Sequence, residues 1–293
     1  MLNFIFGRAG SGKSYFLKNI IHKKIKNGGK NIILIVPEQN SFENEKEIID
    51  ILGNSDCNKA QVLSFSRLHD FAMRKLMYPT AGAISDVTKN IIMSAAMENV
   101  KDSLEIYLPN FKTDIEKIML DTVQELKSRK ITQENLQTII KSSDKKVLNQ
   151  KIKEISAVLS EYDNLCAGKF IDANDKINLT EYVMHRHDVF GGYTVIFDGF
   201  NNFTDQQLSI IELILKQADN VYMAICSDFG PTTDSQASIF APTHRTIKNI
   251  KNLAIKNGIK ISEPIHLKTS KRFSNNELKM LEKGLFSTQK EKY

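Results

Sequence analysis

Residues that signal special covalent chemistry are scarce in this chain. Three cysteines, Cys57, Cys166 and Cys226, are spread over 293 residues with no C-x-x-C pair and no Cys/His spacing. That scatter argues against a disulfide scaffold or a structural metal, and the thiols read as reduced packing residues. No apolar run approaches the ~20 residues of a membrane span. A strand pattern already begins at Leu2, where a signal peptide would lie. The expectation is a cytoplasmic chain with no membrane partner. The cluster His185-Arg186-His187 puts its two imidazoles at i and i+2, on different sides of a helix, and reads as an exposed helix end. No Ser/His/Asp or Cys/His nucleophile arrangement is present. Nor does any strand lead into the paired carboxylates of an Asp…Glu-x-Lys nuclease.

Glycine and proline nearly vanish from Asp86 to Asp188, where Gly168 and Pro109 stand alone. Apolar residues there recur at helical spacing. Ile115, Ile118, Met119, Val123 and Leu126 share one face, as do Leu148, Ile152, Ile155, Leu159, Tyr162 and Leu165. This span reads as an all-helical insertion. On either side, strands alternate with helices. Leu2–Phe6, Ile32–Val36, Gln61–Phe65, Tyr193–Phe197 and Val221–Cys226 are the strand candidates, and Ile259–Leu267 is an extended segment. Helices are expected around Tyr15–Ile21, through Glu45–Ile51, from Arg67 to Met77 with Ser66 as N-cap, from Thr204 to Lys216 with Thr204 as cap, and over His244–Asn257. Such alternation implies a mostly parallel sheet flanked by helices, with ligands at the C-terminal strand ends. The expected division is 1–85 and 190–293 as two parts of one α/β domain, with 86–189 inserted as a helical subdomain. Residues 287–293 are polar and read as a frayed end.

What the chain does contain is Gly7-Arg8-Ala9-Gly10-Ser11-Gly12-Lys13-Ser14, which completes G-x-x-x-x-G-K-[ST] between a strand and a helix. The glycines let several backbone N–H groups turn inward on a phosphate chain. The helix start adds partial positive charge, Lys13 can reach the β/γ phosphates, and the Ser14 hydroxyl can ligate Mg²⁺. ATP and Mg²⁺ are therefore the expected ligands. The magnesium needs a carboxylate at a neighbouring strand end, and Asp198 follows Tyr193–Phe197 at its tip; the alternative is an Asp that merely begins the loop before Gly199. Hydrolysing motors commonly follow that acid with a glutamate that orients water. Gly199 takes the place here, and losing such a group costs about 10²–10⁴-fold in rate. The formal charge of +6 and pI near 9.0 lean towards a polyanionic partner. The densest basic run, His22-Lys23-Lys24-Ile25-Lys26, also complements a helix C-terminus, so it is either a DNA contact or a dipole partner.

The early Gly7–Ser14 motif, Ile35-Val36-Pro37-Glu38-Gln39, Ser64-Phe65-Ser66-Arg67-Leu68, Asp198-Gly199-Phe200, Lys271-Arg272-Phe273 and Leu281–Phe286 occur in one order. Together the chain resembles the N-terminal portion of the B subunits of AddAB-type ATP-dependent helicase–nucleases. The resemblance implies a RecA-like superfamily 1 domain with its helical insertion, a role in repairing double-strand breaks by homologous recombination, and an A subunit as partner. It also implies a nuclease with an iron–sulfur cluster in a C-terminal region beyond this sequence. By position, Glu38, Gln39, Asn40 and Ser41 would touch single-stranded DNA phosphates, and Ser64 and Arg67 would belong to the next DNA-contacting motif. Double-stranded DNA ends would be the substrate of the complex. Gly199 departs from the motor pattern, and Asp228 matches a sensor motif only loosely, so ATP binding with little turnover is the implied behaviour. A small-molecule (nucleoside-type) kinase would also use Lys13, Ser14 and Asp198, and a third reading is an assembly module with a structural loop. Phosphotransfer to a small acceptor separates the kinase from the other two.

Overall fold

A computed structural model of the chain describes residues 1–77, 85–107, 115–167, 173–227, 239–269, 272 and 275–284. Pro109, Gly168, Asp228, Lys271, Phe273 and 287–293 lie outside the described residues. In chain order the elements are β1 (Leu2–Gly7), α1 (Lys13–Lys26), β2 (Ile32–Ile35), α2 (Ser41–Leu52), β3 (Ala60–Leu63), α3 (Phe65–Lys75), α4 (Asp86–Asn99), α5 (Ile115–Ser128), α6 (Gln133–Ser142), α7 (Lys146–Cys166), α8 (Ala173–Arg186), β4 (Thr194–Phe197), α9 (Asp205–Gln217), β5 (Asn220–Cys226), α10 (Ala241–Lys256), β6 (Ile265–His266) and α11 (Asn276–Gly284).

The six strands form one parallel sheet in the order β3-β2-β4-β5-β1-β6. Every residue of β1, β2 and β4 is buried, which is why these strands read as unbroken apolar runs. On α1, Leu17, Ile21 and Ile25 repeat every four residues and pack into the same cluster as Ile32, Leu34 and Ile196. Order and direction of the strands are those of a RecA-like α/β fold.

Contacts divide the chain into two units. One comprises Met1–Leu68, Met184–Phe203 and Leu208–Tyr293 and holds the sheet; the other comprises His69–Val183 and Thr204–Gln207 and is helical. The helical unit has its own core, in which Met93, Met97, Val123, Val158 and Tyr162 are fully buried. Two buried charges organise it. The carboxylate of Glu154 accepts the N–H groups of Glu105, Ile106 and Tyr107 at 3.0–3.2 Å. The ammonium of Lys127 lies 2.6 Å from Asp163 and 3.1 Å from Asp175, and 5.2 Å from the Tyr162 ring centroid.

Local starts and stops differ from the sequence expectation at three places. β3 ends at Leu63 and α3 begins at Phe65, so Ser66 lies inside the helix and is not its N-cap. Ser64 stands at that start: its carbonyl accepts the Leu68 N–H at 3.0 Å and its hydroxyl accepts the Arg67 N–H at 3.4 Å. The cause is Phe65, whose ring is buried against Phe197, Phe200 and Phe203 and turns the chain out of the sheet early. α10 starts at Ala241, with proline in its first turn, ahead of the expected His244. α11 has no counterpart among the helices expected from the sequence. Thr204 does cap α9: its hydroxyl accepts the Gln207 N–H at 3.3 Å, and the Gln207 side chain accepts the Thr204 N–H at 3.0 Å.

Candidate functional site

β1 delivers Gly7 to the C-terminal edge of the sheet, and α1 departs from it at Lys13. Between them the chain curls through Gly10 (φ +77°) and Gly12 (φ +85°), conformations that a side chain strains. The loop is tight as well as curled. A Cβ on Gly7 would collide with Ser11 Oγ, and one on Gly10 would collide with the stem of Arg272. Ser11 Oγ is buried and has no hydrogen-bond partner among the described residues. Arg8 is half-buried with its guanidinium 5.8 Å from the Phe240 ring centroid, whereas Ala9 and Ser14 are exposed.

The ammonium of Lys13 donates to the carbonyl oxygens of Gly7 at 2.8 Å and Arg8 at 2.9 Å. Burial holds its pKa below the ordinary lysine value, and attraction to Cys226 and Asp198 offsets part of that. A cavity of about 310 Å³ opens over this loop, lined by Gly10, Gly12, Lys13, Ser14, Tyr15 and Arg272. Asp198 is buried at the end of β4, where its N–H extends the ladder to Ile35 O at 3.0 Å. β5 alone separates β4 from β1, so Asp198 and Gly7 end two strand spacings apart, roughly 10 Å. Thus the glycine loop, Lys13, Ser14 and Asp198 share the C-terminal end of one sheet, and the cavity places Tyr15 and Arg272 there too. Arg272 is a lining residue that the sequence reading does not assign to this site, since an arginine some 260 positions from the loop carries no local signal.

Lys18 is a second lysine that the motif does not flag. It lies one turn beyond Ser14 on α1, is buried, and forms an ion pair with Glu47 of α2. Burial lowers its pKa, and Asp198 and Glu43 pull it partly back.

The expected DNA residues lie beyond β2 and β3. Glu38, Gln39 and Asn40 form a single 3-10 turn leading into α2. Glu38 accepts a hydrogen bond from Ser66, Ser66 Oγ lies 3.0 Å from Ser64 Oγ, and Arg67 is paired with Glu45. Arg67, Glu38 and Gln39 are exposed; Ser41 and Ser64 are buried, the Ser41 hydroxyl having no partner among the described residues. Gly199 leaves β4 with φ +81°, and a Cβ there would come 3.2 Å from Pro37 Cδ. Its backbone, and not only its missing carboxylate, distinguishes this turn. No group of three or more His, Cys, Asp or Glu side chains among the described residues could hold a metal by itself.

A parallel sheet with a glycine-rich turn after its first strand and a buried acid ending a second defines a RecA-like α/β domain. Residues 4–282 match the family model described as "ADDB, N-terminal", and the chain belongs to that family. It is 33% identical over 98% of its length to the B subunit of the ATP-dependent helicase/deoxyribonuclease of Clostridium acetobutylicum, covering 25% of that protein. The B subunits of the same enzyme from Clostridium kluyveri and Thermoanaerobacter sp. (strain X514) are 33% and 31% identical over 98% of the chain, which covers 26% and 25% of them. The chain therefore spans about a quarter of the length of these relatives. Among the described residues no helix is long and apolar enough to cross a membrane.

Proposed function

We propose that this chain is the nucleotide-binding, DNA-engaging domain of the B subunit of an ATP-dependent helicase/deoxyribonuclease, working with an A subunit on double-strand DNA ends. The observation that carries the nucleotide reading is the Gly7–Ser14 loop. Its ammonium is satisfied by the loop's own carbonyls, its Ser11 hydroxyl is buried without a partner among the described residues, and it opens into a cavity. Those features suit a polyphosphate, which would replace the two carbonyls as the acceptor of Lys13. Ser14 and Asp198 would hold Mg²⁺, whose charge neutralises phosphate oxygens and orients them.

Hydrolysis by this domain is proposed to be slow. Gly199 carries no group to orient water, and its left-handed backbone beside Pro37 leaves little room for one. Single-stranded DNA would run along Glu38, Gln39 and Arg67, which are exposed beyond β2 and β3, by sequence-independent contacts. Calorimetry of Mg·ATP with the wild-type chain and Lys13→Ala tests the reading. Expected are heat that the variant abolishes, no turnover stimulated by single-stranded DNA, and no phosphotransfer to nucleosides. Absence of Lys13-dependent heat overturns the nucleotide assignment, DNA-stimulated turnover overturns the role given to Gly199, and phosphotransfer makes the chain a kinase.

A further inference from the structure

In the helical unit, α6 and α7 form an antiparallel hairpin. Gln133 and Ser156 are bonded at its open end, and the side-chain amide of Asn149 donates to Ile140 O at 3.2 Å and Ser143 O at 2.6 Å near its tip. Around that tip the sequence places Lys141, Lys145, Lys146, Lys151 and Lys153 against one acid, Asp144. All five lysines are exposed, and none has an ion-pair partner among the described residues. Several other lysines of the same unit are paired, as Lys127, Lys130 and Lys176 are with Asp163, Glu181 and Asp70. Val147 is 66% exposed, so the first turn of α7 projects beyond the helical core.

The placement of these cations works against folding. α7 opens with Lys145 at its N-cap and Lys146 next, with no acid in its first turn and no side-chain cap. Cations at the positive end of a helix dipole are destabilising. α6 shows the opposite arrangement, with a Thr132–Asn135 capping box and Glu134 in its first turn. A basic tip held at a cost to its own helix fits a surface that meets an external anion.

We infer that the α6–α7 tip binds the phosphate backbone of duplex DNA. On α7, Lys146 and Lys153 stand seven residues apart, share one face of the helix, and span about 11 Å of its axis at 1.5 Å per residue. A duplex presents one charge per ~1.7 Å over such a length, twice the density of a single strand. Single-stranded binding would call for aromatic stacking platforms, and no Phe, Tyr or Trp occurs between Lys130 and Glu161. In choosing DNA as the polyanion the inference rests on the function proposed above, but it uses a surface that neither the nucleotide loop nor the Glu38–Arg67 edge includes.

The test is binding of a labelled duplex of about 20 base pairs by the 293-residue chain across a salt series. The tip variant is Lys145→Glu, Lys146→Glu and Lys153→Gln together. A control of equal charge change is Lys248→Glu, Lys260→Glu and Lys117→Gln. The tip variant is expected to lose at least about tenfold in affinity at low salt and to flatten the log K against log salt slope by about 0.9 per contact removed. The control should lose much less, and the tip variant should melt at a higher temperature than wild type because the α7 dipole is relieved. Undiminished binding by the tip variant, an equal loss in the control, or no duplex binding by the wild type overturns the inference. Failure of Mg·ATP to bind overturns the nucleotide reading alone and leaves this comparison standing.

Discussion

Lys13 is held in a place where its charge is costly, and that cost has a measurable sign. Burial lowers its folded-state pKa below 10.5, so the unfolded chain binds the extra proton between the lowered value and 10.5. Stability contributed at this position is therefore reduced at neutral pH and recovers as pH rises through that window. Lys13→Met removes the titration. The stability of wild type minus that of Lys13→Met, from urea unfolding without nucleotide at successive pH values, should increase as the pH rises from neutrality towards 10.5. A flat or falling difference would contradict the buried ammonium. Phosphate should restore the charged form, so wild-type affinity for Mg·ATP should fall over the same pH range. Lys18, also lowered by burial, is common to both proteins and cancels in the difference.

Among elements, the turn after β4 shows how backbone geometry constrains chemistry. Gly199 has φ +81° with Pro37 Cδ 3.2 Å from where a Cβ would sit. Gly199→Ala should cost about 1–2 kcal/mol in urea unfolding, since a left-handed residue with a Cβ loses that much before any contact with Pro37. A loss within about 0.5 kcal/mol, the size of an ordinary surface substitution, would mean that the turn relaxes freely. Much of the element plan was legible in the sequence. β1, β2 and β4 are buried on both faces and carry continuous apolar runs, and α9 carries Thr204 with Gln207 three residues on. Where reading failed, the deciding force was tertiary. Ser66 looks like a cap, yet burial of Phe65 against Phe197, Phe200 and Phe203 hands that position to Ser64. The loop from Gly7 to Ser14 was legible because its glycines and Lys13 are adjacent in sequence. Arg272 and the Lys18–Glu47 pair were not, because neither spacing nor composition records which distant residues converge on a strand end.

At the scale of the molecule, the sheet unit and the helical unit each have their own core, and the candidate nucleotide loop belongs wholly to the first. Ligand that binds only the folded form stabilises by RT ln(1 + [L]/Kd), about 2.7 kcal/mol at a hundredfold excess over Kd. That stabilisation falls on the structure that must open to release the ligand. Amide exchange in β1, α1 and β4 should therefore slow by up to about a hundredfold in saturating Mg·ATP, while amides in α5 and α7 that exchange through openings of the helical unit keep their rates. Hydrogen-exchange mass spectrometry with and without Mg·ATP, and with Lys13→Ala, reads both units in one experiment. Equal slowing in α7 and β1 would mean that the two units open as one. Slowing that persists in Lys13→Ala would place the nucleotide somewhere other than the Gly7–Ser14 loop.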